Sequence, residues 1–128
     1  MNFELTHAQL GPIVVMGLRG VYRPEDGQAF RDCYQHYLEV GFKWVLLDLH
    51  ELAYISSAGL RSILELQKTL MAQGGELRLV RPAPFILDVF TTTHLDEVLA
   101  FYDTAPLAIY DWIVHEAGKA EPSNQLGQ

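Results

Sequence analysis

The run Trp44-Val45-Leu46-Leu47-Asp48-Leu49 constrains this chain most. It is apolar at nearly every position, without the alternation of a strand that has one wet face. A strand of this kind is buried on both sides, which calls for parallel neighbours and for helices that cross over between them. The flanking sequence supplies those elements. Ile13-Val14-Val15-Met16-Gly17-Leu18, bounded by Gly11-Pro12 and Gly20, reads as an earlier strand, and Phe3–Leu10 as an edge strand paired with it. Pro24-Glu25-Asp26 opens a first helix, since proline and acids suit a helix start. Its core side is Phe30, Cys33, Tyr34 and Tyr37, and Gly41 ends it.

A second helix is expected from Ser57 to Gln73. Leu60, Ile63, Leu64, Leu70 and Met71 form its apolar face, Gln67 is out of pattern within that face, and Gly74-Gly75 stops it. Glu76–Val80 alternates as a strand. Phe85–Thr92 follows two prolines as a third helix, Val98–Phe101 is a short last strand, and Pro106–Glu116 a last helix. The expected architecture is α/β: a mixed sheet of four to five strands with about four helices packed against it. One domain is expected over 1–117. The polar segment 118–128, with Gly, Pro, Ser and Asn, is expected to be a disordered tail.

Composition removes several classes of function. Sixteen acidic residues against nine basic ones give a formal charge of −7, which disfavours binding to a phosphate backbone, so no nucleic acid partner is expected. No apolar stretch approaches the roughly 20 residues that span a bilayer, and Met1–Gln9 lacks the basic-then-apolar pattern of a signal peptide. Direct membrane insertion is therefore not expected. The single cysteine, Cys33, has no disulfide partner and suits a reducing cytoplasm as a small core residue. His7, His36, His50, His94 and His115 form no metal-binding pair on one helix with a nearby acid. A phosphate-cradling glycine loop and a nucleophile elbow are both missing, so the chain is not expected to be an enzyme or to carry a cofactor.

The informative segment is Asp48–Leu60, which joins the buried strand to the second helix. Sites in open α/β sheets gather at such carboxyl ends. Ser56 and Ser57 are both candidates for the helix N-cap, a role worth about 1 kcal/mol. Asp48 is expected to accept backbone N–H bonds in the adjoining loop. Asp48-Leu49, followed by Tyr54-Ile55-Ser56-Ser57-Ala58-Gly59-Leu60, resembles the signature of the STAS domain, and is especially similar to that of bacterial anti-sigma factor antagonists. Gly20 and the Gly74-Gly75-Glu76-Leu77 step fit the same pattern, so the resemblance spans Gly11 to Ala117.

The resemblance implies that Ser57, two positions before Gly59, is a phosphoacceptor. It implies an anti-sigma factor with serine-kinase activity as the kinase and binding partner, and a metal-dependent serine phosphatase that reverses the mark. ATP and Mg2+ would belong to the kinase. Transcription regulation in a bacterial cytoplasm follows as the expected setting. The expected docking surface is Tyr54, Ile55, Ser56, Ala58, Gly59, Leu60 and Arg61, with Tyr22 and Arg23 beside it. Two departures stand out. Ser56 occupies a position that is often acidic in the family, and Val21-Tyr22-Arg23 replaces a turn that is often acidic. The alternative is a constitutive STAS subunit of a larger complex, such as a lipid transporter, docking on an ATPase subunit. A homodimer is compatible with either reading.

Overall fold

The computed structural model describes residues 1–114. Its order is β1 (Glu4–Leu10), β2 (Ile13–Tyr22), a 3-10 turn (Pro24–Asp26), α1 (Gly27–Glu39), β3 (Trp44–Ile55), α2 (Ser57–Ala72), β4 (Glu76–Val80), α3 (Pro84–Thr92), a 3-10 turn (Leu95–Glu97) and β5 (Ala100–Tyr102). Residues 105–114 form a last helix, α4. The expected tail 118–128 and the expected helix end at Glu116 lie outside the described residues.

The five strands lie in sequence order. β1 is antiparallel to β2, and every later pair is parallel. Each parallel step moves in the same direction across the sheet. Right-handed crossovers therefore place α1, α2 and α3 on one face. There Val14, Met16, Leu18, Val45, Leu47 and Leu49 meet Phe30, Tyr34, Ile63, Leu66, Leu70 and Phe90. After the edge strand β5 the chain folds back, and α4 covers part of the opposite face. Ala108 and Trp112 pack there on Ile13, Leu46 and Val80. The first half of β3 is thus buried from both sides, as its composition required, while His50, Glu51, Ala53 and Tyr54 further along are exposed.

Several boundaries differ from the expectation. β2 does not stop before Gly20 but continues to Tyr22, with Gly20 at φ +81° beside a register shift against β3. A Cβ at Gly20 would also strike the Asn2 carbonyl oxygen at 1.9 Å. β3 likewise runs six residues past Leu49, through a segment expected to be turn. Pro24–Asp26 is a 3-10 turn and the α-helix begins at Gly27; the last strand is Ala100–Tyr102 instead of Val98–Phe101. Met71 points to solvent, and Leu66 takes the core position. Gln67, out of pattern in the sequence, donates from its amide nitrogen to the Val98 carbonyl and so ties α2 to the approach to β5.

Candidate functional site

The turn from β3 into α2 rests on aromatic and aliphatic packing below and on one cap above. Tyr22 and Ile55 are partners at the ends of β2 and β3, and the Ser56 amide donates to the Tyr22 carbonyl at 2.9 Å. Ser56 is the N-cap of α2: its backbone is extended and its Oγ accepts from the Gly59 amide at 3.1 Å. Its carbonyl accepts from the Leu60 amide at 3.0 Å. The cap question left open by the sequence is thereby resolved in favour of Ser56. Serine and aspartate cap helices about equally well, so Ser56 does in this turn what an acid at that position would do.

Ser57 is the first helical residue and is exposed. Among the described residues its hydroxyl has no hydrogen-bond partner. The amides at the start of a helix have no acceptor within the helix, and Ser56 satisfies that of Gly59, leaving those of Ser57 and Ala58 without an acceptor among the described residues. Arg61, also exposed, lies one turn further along on the same side as Ser57.

Beneath the turn, Tyr22 is wholly buried and its hydroxyl is 2.5 Å from Ser62 Oγ, which donates to the Gly59 carbonyl at 2.6 Å. Burial pushes the Tyr22 phenol up to about 12, against the opposing effect of the Ser62 hydrogen bond. Gly59 lies directly on this support. A Cβ there would fall 2.8 Å from Ile55 Cγ1 and 3.2 Å from the Tyr22 ring. Any larger residue there would have to displace Ile55 or Tyr22, so the glycine answers to packing inside the protein.

These placements sort the expected docking residues. Tyr22, Ile55, Ser56, Gly59 and Leu60, expected on the docking surface, are instead buried and support the site from within: each faces the core or the turn's own hydrogen bonds. The accessible group is Tyr54, 49% exposed, with Ser57 and Arg61, and half-exposed Ala58 and Arg23. Tyr54 is exposed because β3 carries register irregularities in this stretch. Its outward positions come in pairs, His50-Glu51 and Ala53-Tyr54, between buried Leu49, Leu52 and Ile55.

Asp48 lies further back on β3, on the sheet face away from α2. Its Oδ1 accepts from the His50 amide at 3.0 Å, a donor within β3 and not in the adjoining loop as expected, and its Oδ2 accepts from Arg81 Nη2 at 2.8 Å. Burial alone would raise its pKa, but the Arg81 guanidinium and the two His50 hydrogen bonds outweigh that and hold the carboxyl below its usual value. Arg81 adopts φ +58°, uncommon outside glycine. Cys33 is half-buried, and burial pushes its thiol up.

Sequence reasoning missed one cluster altogether. Arg78 of β4 is 5% exposed. It donates to Asp111 Oδ2 at 2.8 Å, to Glu76 Oε2 at 2.9 Å and to the Ala108 carbonyl at 2.6 Å, and it lies 4.1 Å from the centre of the Trp112 ring system. Trp112 in turn donates to Glu76 Oε1 at 3.1 Å and stacks on Trp44. Burial disfavours the guanidinium charge, yet Asp111 and Glu76 raise its proton affinity above that of an ordinary arginine. The cluster fastens α4 to the sheet.

The STAS domain profile matches residues 25–108. BtrV of Bordetella bronchiseptica, named as an anti-sigma factor antagonist, is 31% identical over 105 residues, covering 82% of this chain and 85% of BtrV. The crystal structure of TM1081 from Thermotoga maritima, also named as an anti-sigma factor antagonist, superimposes with a TM-score of 0.78 at 23% identity. That alignment covers 84% of this chain and 92% of TM1081. The Bacillus cell fate determinant SpoIIAA in its phosphorylated form superimposes with a TM-score of 0.68 at 20% identity, covering 88% of this chain and 99% of SpoIIAA.

Proposed function

The chain belongs to the STAS domain family, and from that premise we propose that it is an anti-sigma factor antagonist whose docking is switched by phosphorylation of Ser57. In the unmodified state the surface around Tyr54, Ala58 and Arg61 binds an anti-sigma factor and releases the sigma factor it holds. The anti-sigma factor, acting as a serine kinase with ATP and Mg2+, transfers phosphate to Ser57 and ends the complex. A metal-dependent serine phosphatase resets the switch. The chain's own part is binding and presentation of a hydroxyl, without turnover.

The observation that carries this reading is the division of labour between two adjacent serines. Ser56 caps the helix, and the exposed Ser57 hydroxyl has no structural task among the described residues. A modification there need not cost the helix its cap. The phosphate brings a charge of about −1.5 to −2. The free amides of the first turn and the helix dipole accommodate it, and Arg61 is placed to pair with it. The same charge beside Tyr54 and Ala58 opposes any partner that would bury them, because the phosphate would have to be desolvated. The fold persists while the surface becomes repellent. That SpoIIAA, of like fold, exists in a phosphorylated form supports the reading.

The test is intact-mass and peptide mapping of the protein from its native cells, with labelling by ATP and the serine kinases of the same genome. Phosphate is expected on Ser57, retained in Ser56→Ala and lost in Ser57→Ala. If the chain stays unmodified under all growth conditions and no kinase labels it, the switch is rejected and a constitutive docking subunit takes its place.

A further inference from the structure

The two borders of the sheet differ. β5 is three residues long and is followed at once by Asp103, Thr104 and the turn into α4. β1 has seven residues, Glu4–Leu10, each paired with β2 in an unbroken register. Among the described residues no strand pairs with its outer side. In an antiparallel ladder every second residue turns its N–H and C=O away from the partner strand, so this border presents a row of open backbone groups. Proteins usually blunt such borders with lysine, proline, a bulge or a short strand. β1 has none of these, and Glu4 is its one charged residue apart from the titratable His7.

We propose that β1 is a self-association surface, on which a second copy of this chain adds through its own β1 to form a continuous ten-stranded sheet. The sequence of the strand selects antiparallel pairing. Full overlap of seven residues on seven places the two-fold axis at His7, with Glu4 opposite Leu10, Leu5 opposite Gln9 and Thr6 opposite Ala8. No carboxylate meets another, whereas parallel in-register pairing would set Glu4 beside Glu4. The strand is also held in place for this role. His7 Nδ1 lies 2.6 Å from the Tyr37 hydroxyl, and the ring packs edge-on to Tyr37, which ties the middle of β1 to α1. A net charge of −7 on each chain opposes association in general, but this border contributes a single carboxylate to it. The two-fold runs perpendicular to the sheet, so the two Ser57 turns point to opposite ends of the dimer and both remain free to dock.

Sedimentation velocity of the full chain is expected to give a dimer mass that rises with concentration. His7→Cys in a Cys33→Ser background is then expected to form a disulfide-linked dimer on mild oxidation. Opposed antiparallel residues have Cα atoms about 4.5–5.5 Å apart, within the span of a disulfide. Glu4→Cys in the same background is expected not to link, since the two sulfurs would be about 20 Å apart along the strand. Mixed Thr6→Cys and Ala8→Cys chains are expected to link across the axis and leave the His7–Tyr37 bond intact. A monomer at every concentration overturns the proposal. So does a dimer that fails to link at His7 and Thr6–Ala8, or that links equally at Glu4.

Discussion

Helices α2 and α4 are fastened to opposite faces of one sheet, and by different means. Under α2 the fastening is apolar: Leu60, Ile63, Leu66 and Leu70 sink into the core, and the polar groups at its start are concerned with hydrogen bonding in the turn. Under α4 it is an arginine closed in by two carboxylates, a carbonyl and an indole. The outer surfaces are reversed as well. α2 shows Ser57, Arg61, Glu65 and Lys68 to solvent, while α4 shows Leu107, Tyr110, Ile113 and Val114. An apolar fastening tolerates a change of charge on the outer side, because the outer side contributes little to it. A polar one depends on every partner staying in place.

Arg78→Ala should strain this contrast most. Breaking a buried ion pair costs about 3–5 kcal/mol. Asp111 and Glu76 both reach water once freed, so a loss near 3 kcal/mol is expected in urea unfolding. A loss below about 1 kcal/mol would mean that α4 is held by Trp112 and Ala108 alone. Next comes Gly59→Ala, the point at which the apolar fastening has no slack. Alanine would gain up to about 1 kcal/mol in helix propensity, but overpacking against Ile55 and Tyr22 costs about 1–3 kcal/mol, and the net effect is expected to be destabilising. A stabilised variant would show that Ile55 can give way. The smallest effects separate the two serines. Ser56→Ala is expected to lower stability by about 1 kcal/mol and Ser57→Ala by less than about 0.5 kcal/mol, in the same thermal or urea titration. Equal losses would erase the division of labour between them.

The parts of this structure that were legible beforehand are those governed by periodicity and by glycine and proline. The buried first half of β3, the pairing of the edge strand β1 with β2, and the ends of α1 and α2 at Gly41 and Gly74 are all of this kind. The far half of β3 was not legible, because Leu49, Leu52 and Ile55 face inward at a spacing of three, which matches neither a flat strand nor the expected turn. Its irregular pairing with β2 is a property of two strands together. Arg78 was hidden for a related reason. Alternation marks it as facing away from Leu77 and Leu79, but nothing in a local pattern says that a helix thirty residues later will cover that face. At the site, the motif singled out Ser57. Which serine caps, and that Gly59 answers to Tyr22 and Ile55, needed three elements brought together.

The α4 fastening also decides what light can report about this protein. Its two tryptophans, Trp44 and Trp112, lie in one stack, with ring centres 5.5 Å apart and planes 6° from parallel, on the sheet face away from α2. Tryptophan fluorescence will therefore follow the seating of the last helix and remain almost blind to events at Ser57, where the native chromophores are Tyr22 and Tyr54. A tryptophan probe of docking has to be introduced near Tyr54, and an unchanged tryptophan spectrum on mixing with a partner is no evidence that the two have failed to meet.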